Sequence, residues 1–145
     1  MPNVFVDTNI LVYAADTAAS QSRKVRIARE LLLQRNLCIS IQVLNEFTVN
    51  ARHPRKLNLN RNEEQDWLSQ WLRLKVLPLT IDIYLEALRI HLGFQLSHWD
   101  SLILASAVQA GCKTLYSEDL NPGQKIHGVQ IINPFESEVD EGHPS

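Results

Sequence analysis

Cysteine is scarce in this chain of 145 residues: there are two, Cys38 and Cys112, each in an apolar setting without a CxxC or CxxH partner. That excludes a disulfide framework, and both thiols are expected to be small buried hydrophobes kept reduced. His53, His91, His98, His127 and His143 show no ligand spacing such as HExxH, which removes the other route to zinc. No apolar run approaches the roughly 18 residues that cross a bilayer, and Met1-Pro2-Asn3-Val4 does not read as a secretory leader. A cytoplasmic protein with no membrane association is the expectation. Positive charge is not in excess either, since Lys and Arg number 14 against 16 Asp and Glu. The resulting net charge of −2 disfavours a protein that grips phosphates by bulk charge. It counts less against an enzyme whose bound metal supplies positive charge in an acidic pocket.

What remains is an ordinary globular composition, 45% hydrophobic and 21% charged, long enough for one domain with a core of its own. Residues 3–7 read as a strand and 9–15 as a short helix. An amphipathic helix is expected over 21–35, with Val25, Ile27, Ala28, Leu31 and Leu32 inward. Leu37–Ile41 reads as a second strand, and a helix from Gln42 ends near Arg52, ahead of His53-Pro54. Residues 55–61 read as a polar loop, 63–73 as a helix, and Val76–Leu79 as a strand placed near an edge by its proline. Helices are expected over 81–92, ending at Gly93, and over 99–110, ending at Gly111. Strands at 114–116 and 129–132 flank the turn-rich segment 117–123. Strands alternating with helices imply a three-layer α/β/α sandwich around a mainly parallel sheet, one domain over 1–135. The acidic segment 136–145 reads as a disordered tail.

Four acids then stand out by position: Asp7, Glu46, Asp100 and Asp119. Three of them follow a strand or open a helix, and in an open parallel sheet the strand ends are where ligands gather. Each has a plain structural reading. Asp7 could cap the helix after it, and Ser97-His98-Trp99-Asp100 resembles a capping box. Glu46 could be a solvated mid-helix glutamate, with Asn50 and His53 continuing its polar stripe, and Asp119 a turn residue. Glu118 is adjacent to Asp119 and could trade roles with it. Against this, Asp100 heads an inward row of Ile103, Leu104 and Ala107, which is costly without compensation. Carboxylates collected in one place repel one another and persist mainly around a hard cation such as Mg²⁺. The densest basic segment, Arg52, His53, Arg55 and Lys56 with Arg61, could hold RNA phosphates or be a solvated loop.

Val4-Phe5-Val6-Asp7-Thr8-Asn9-Ile10-Leu11 resembles the opening of PIN-domain ribonucleases. Asn45-Glu46-Phe47 resembles their second acidic position, and Trp99-Asp100-Ser101-Leu102 their third, an Asp opening an alanine-rich helix. Leu115-Tyr116-Ser117-Glu118-Asp119-Leu120 resembles their closing strand and Ser/Thr-x-Asp turn, with Ser where Thr is commoner. The stretch from Gly123-Gln124 to Ile132-Asn133-Pro134-Phe135 is similar to a bacterial VapC-type toxin subgroup. The resemblance implies a metal-dependent endoribonuclease with Asp7, Glu46, Asp100 and Asp119 at an Mg²⁺ site (Mn²⁺ in vitro). Thr8, Asn9 and Ser117, with Glu118 beside them, would orient those acids or touch phosphate. It also implies RNA as substrate, a cognate antitoxin as partner, and a homodimer. Trp67 and Trp71 could join such an interface, although two tryptophans at i and i+4 are more often core. The alternative is a non-catalytic PIN-like module that binds RNA or protein. A haloacid-type phosphatase would want DxDx[TV] where Asp7-Thr8-Asn9 stands, and a receiver domain an acidic pair and a lysine that are missing.

Overall fold

The computed structural model describes residues 3–19 and 22–136. Six strands form one sheet: β1 (Asn3–Val6), β2 (Leu37–Ser40), β3 (Lys75–Leu77), β4 (Cys112–Tyr116), β5 (Lys125–Ile126) and β6 (Val129–Ile132). Their order is β3-β2-β1-β4-β6-β5, parallel throughout except for the antiparallel β5–β6 pair. The helices are α1 (Thr8–Ala14), α2 (Arg23–Leu31), α3 (Ile41–Arg52), α4 (Arg61–Trp71), α5 (Ile81–Phe94) and α6 (His98–Gln109). In the three-layer α/β/α arrangement α1 packs on α2 and α3, α3 on α4, and α5 on α6. With this strand order, the right-handed crossover rule puts the helices that lead to β2 and β3 on one face, and α5 and α6, which return the chain across the sheet, on the other. β3 is an edge strand, as its following Pro78 suggests.

Local sequence explains most of these boundaries. Ser22, Ser40, Thr80 and Ser97 each cap a helix by accepting the N–H of the residue three further on. Asn60 and Glu63 form a reciprocal capping box that starts α4 two residues before the expected position. Between the layers lie Phe5, Ile39, Leu115 and Ile131 of the sheet with Ile10, Phe47, Ile90 and Leu104 of the helices, all fully buried. Trp71 is buried edge-on to Phe47 and stacked on Trp67 with centroids 5.4 Å apart, so this pair belongs to the core. Cys38 and Cys112 are free and buried, and burial pushes the Cys112 thiol up to about 12, which leaves it inert.

Two expectations need correction. Gly93 does not end α5: the helix runs through Phe94, and Gln95 takes the left-handed conformation at φ 58°. Half-buried Phe94 packs on the core and lies edge-on to His127, which favours the two extra helical residues. The second is the amphipathic helix expected over 21–35, which as α2 ends at Leu31; β5, a two-residue strand, lies in a stretch where the sequence predicts no element. It pairs with β6 through His127 and Gly128, both at positive φ, as a tight hairpin requires. The expected tail at 136–145 falls, beyond Glu136, outside the described residues. Among the described residues no helix is long and apolar enough to cross a membrane.

Gly111 ends α6 as expected, at φ +71° with open space where a Cβ would stand. Gly111→Ala therefore meets backbone strain and no clash, at a cost of about 1–2 kcal/mol. Urea titration should show a lower midpoint at unchanged slope.

Candidate active site

The chain winds from β1 outward to β2 and β3, then returns to place β4 on the other side of β1. The carboxyl ends of β1 and β4, where Val6 pairs with Tyr116, are thus a topological switch point, where such sheets leave a crevice. Asp7 is the first residue past β1 and Ser117 the first past β4.

Asp7 is 6% exposed and its carboxylate has two fixed donors: the Thr8 N–H at 2.7 Å and the Ser117 hydroxyl at 2.7 Å. It does cap α1, so the structural and the functional readings coexist in one side chain. Fully buried Ser117 also accepts the N–H groups of Asp119 at 3.2 Å and Leu120 at 3.4 Å, folding the turn after β4 around its hydroxyl. Asn9 completes the join: its Nδ2 donates to Asp119 Oδ2 at 3.0 Å and its Oδ1 accepts from the Glu118 N–H. Glu46 enters from α3, one carboxylate oxygen accepting from Thr8 Oγ1 at 2.6 Å and the other from Gln42 Nε2 at 3.0 Å. Gln42 is one turn earlier on the same helix and spans to the Trp99 carbonyl of α6 at 3.2 Å. Asp100 opens α6, its N–H capped by Ser97 Oγ at 3.0 Å.

The electrostatics follow from this crowding. Burial, with smaller contributions from the Glu46 and Asp119 carboxylates, pushes Asp7 up to about 6 despite its two hydrogen bonds. Asp100 is raised for the same reasons, burial first and then Asp119 and Glu46. Four acids from β1, α3, α6 and the turn after β4 therefore share one field. Among the described residues no three of them converge closely enough to enclose an ion unaided. An all-oxygen, partly open set of this kind still fits Mg²⁺, which keeps several waters and takes one or two carboxylates directly.

Glu118 and Asp119, indistinguishable by spacing, point to different neighbours. Glu118 accepts from Tyr13 at 2.7 Å and forms an ion pair with Lys24, which also lies over the Tyr13 and Phe135 rings. Glu118 holds Lys24 in its charged form, and burial followed by Glu118 raises the Tyr13 phenol. The basic segment also divides. Arg52 is engaged by Glu64 in a two-pronged pair at 2.9 and 3.0 Å, and His53 Nδ1 accepts the Arg55 N–H. Lys56 alone of that segment lines the cleft formed with Thr8, Asn9, Glu46, Asn50 and Asp119. Sequence reading passed over Gln42, Tyr13 and Lys24. Gln42, four residues before Glu46, carried a usable helical-face signal.

The family described as PIN domain matches residues 4–124. Among solved structures the chain is similar to a toxin–antitoxin complex from Klebsiella pneumoniae, at 21% identity and TM-score 0.68, over 91% of this chain and 98% of that one. It is also similar to Mycobacterium tuberculosis VapC20, a sarcin–ricin loop cleaving toxin, at 20% identity and TM-score 0.63 over 81% and 90%. DNA-bound VapBC from Salmonella typhimurium follows at 20% identity and TM-score 0.62 over 90% and 97%. No curated protein matches the sequence. The family match begins in β1, ends beyond the turn after β4 and takes in all four acids, and on that ground the chain belongs to the PIN domain family.

Proposed function

We propose that the chain is a divalent-metal-dependent endoribonuclease, the toxin of a toxin–antitoxin pair, acting through Asp7, Glu46, Asp100 and Asp119. The observation that carries this is the mutual field of the four acids at the β1–β4 switch point, where burial and like charges hold Asp7 at about 6. Such an arrangement calls for a cation, and the donor set suits Mg²⁺, with Mn²⁺ as a substitute in vitro. Bound there, the ion supplies an activated water and Lewis-acid charge at the scissile phosphoryl group.

The chain's own residues orient and exclude. Ser117 and Thr8 fix Asp7 in one rotamer, and Asn9 fixes Asp119. Glu46, clamped between Thr8 and Gln42, would serve as a further ligand or orient the attacking water. Lys56 offers a cation to the phosphate backbone at the rim of the cleft. The in-line displacement asks for no protein nucleophile. Asp119 is assigned to the metal in preference to Glu118 because Lys24 and Tyr13 occupy Glu118. Asp119→Asn should then lose far more cleavage than Glu118→Gln, measured side by side on one RNA.

Partners follow from the same reading. The similar structures include toxin–antitoxin assemblies, which supports an antitoxin for this chain. Self-association is supported by the outer face of α5, where Ile81, Tyr84, Leu85, Leu88 and Leu92 are exposed at helical spacing. The test is incubation of the purified chain with labelled tRNA and other structured RNAs in Mg²⁺, Mn²⁺ or EDTA. Metal-dependent cleavage that disappears in Asp7→Asn supports the proposal. No cleavage of any RNA, with calorimetry showing no metal binding, sinks it in favour of a non-catalytic PIN-like binding module.

A further inference from the structure

Beside the acid cleft lies a second one of about 450 Å³, lined by Gln42, Asn45, Glu46, Leu79 and Trp99. Glu46 lines both, so its side chain is the wall they share. Trp99 immediately precedes Asp100 and leaves 63% of its surface exposed, a large apolar ring beside a charged site. It is the end of a row of rings: Trp99 meets His98 at 5.3 Å, and His98 meets Tyr84 at 6.1 Å. Leu79, 48% exposed, adds an apolar wall, and the exposed Asn45 side chain makes no hydrogen bond among the described residues.

We propose that this second cleft is a nucleobase subsite, in which an unpaired base next to the scissile phosphate stacks on Trp99 with its edge toward Asn45. This rests on the ribonuclease reading above. A chain of net charge −2 needs a grip that does not depend on cations, and stacking on an aromatic face provides one for single-stranded RNA. The cation that lines the acid cleft, Lys56, does not line this one. The backbone is thus held on one side of the acids and a base on the other. An amide beside an open ring gives donor and acceptor to a base edge, so preference at that nucleotide would be set by Asn45 while Trp99 accepts any base.

The experiment uses octaribonucleotides, each with one 2-aminopurine at a defined position, titrated with the full chain in Ca²⁺ and separately cut in Mg²⁺. Quenching at a single position next to the cut is expected, together with a rise of about tenfold or more in Kd and KM for Trp99→Ala. The loss falls on KM rather than kcat, and Trp99→Phe recovers most of it while Trp99→Leu does not. Asn45→Ala should narrow the difference between bases at that position without abolishing the quench. Unchanged KM in Trp99→Ala, or quenching at no position, overturns the subsite and leaves the ribonuclease reading standing. Trp99-dependent quenching with no cleavage of any RNA overturns that reading while the subsite survives. If Trp99→Ala instead shifts the chain to monomers in sedimentation with oligonucleotide affinity intact, Trp99 serves a protein interface and the subsite is overturned.

Discussion

Asp7→Asn is expected to lower RNA cleavage by about a thousandfold or more, since removing a charged ligand costs several kcal/mol of transition-state stabilisation at about 1.4 kcal/mol per decade. The same variant should be the more stable protein without metal. Asp7 has a folded-state pKa of about 6 against an ordinary 3.8, so between those values the folded chain binds more protons than the unfolded one. Stability of the metal-free wild type therefore falls as pH rises from about 4 to 6, and the loss is complete above 6. Two units correspond to about 3 kcal/mol. Asparagine cannot accept the Ser117 proton at its nitrogen, which takes back part of that gain. Urea unfolding in EDTA at a series of pH values gives the reading: a downward slope across the window for the wild type, and a flatter one for Asp7→Asn. Added Mg²⁺ should raise the wild-type midpoint and leave that of the variant almost unmoved. A wild type whose stability rises across this window would refute the account of a strained carboxylate.

Ser117→Ala is the second large expectation. Its hydroxyl gives its proton to Asp7 and accepts two backbone N–H groups while fully buried. Alanine leaves a buried carboxylate short of a donor and the Asp119 and Leu120 amides short of an acceptor, at about 2–4 kcal/mol. The Asp7 pKa should move further up, because Ser117 is the largest influence that lowers it. Loss of orientation should also lower cleavage, by about 10–100-fold as for other groups that position ligands. Ser117→Thr keeps the hydroxyl and should lose less of both. If Ser117→Ala matches the wild type in denaturation and in cleavage, the hydroxyl does not organise the site.

Much of this was legible in the sequence. The apolar strands, the capping serines and the alternation of strand and helix carry local signals, and they suffice for the sheet and for Asp7 at its end. What was hidden depends on distant partners. Glu118 and Asp119 are neighbours in a turn, and only Lys24 and Tyr13 at one and Asn9 at the other tell them apart. Gln42 is 6% exposed and donates to the Trp99 carbonyl of α6, a contact that depends on a helix 57 residues away. β5 has two residues and hence no period, and the end of α5 is set by Phe94 meeting His127, not by the glycine beside it.

The pairing of β1 with both β2 and β4 has a consequence for biosynthesis. β1 is made first, yet one of its two edges stays open until residues 112–116 have left the ribosome. At roughly 5–20 residues per second the wait is on the order of 5–20 s. Over that interval a short apolar strand edge is bare and available to chaperones or to a neighbouring nascent chain. Asp7 meanwhile has neither the Ser117 hydroxyl nor the turn that carries Asp119. The acid cluster is therefore assembled only after the strand and turn that carry Ser117 and Asp119 have emerged and paired with β1.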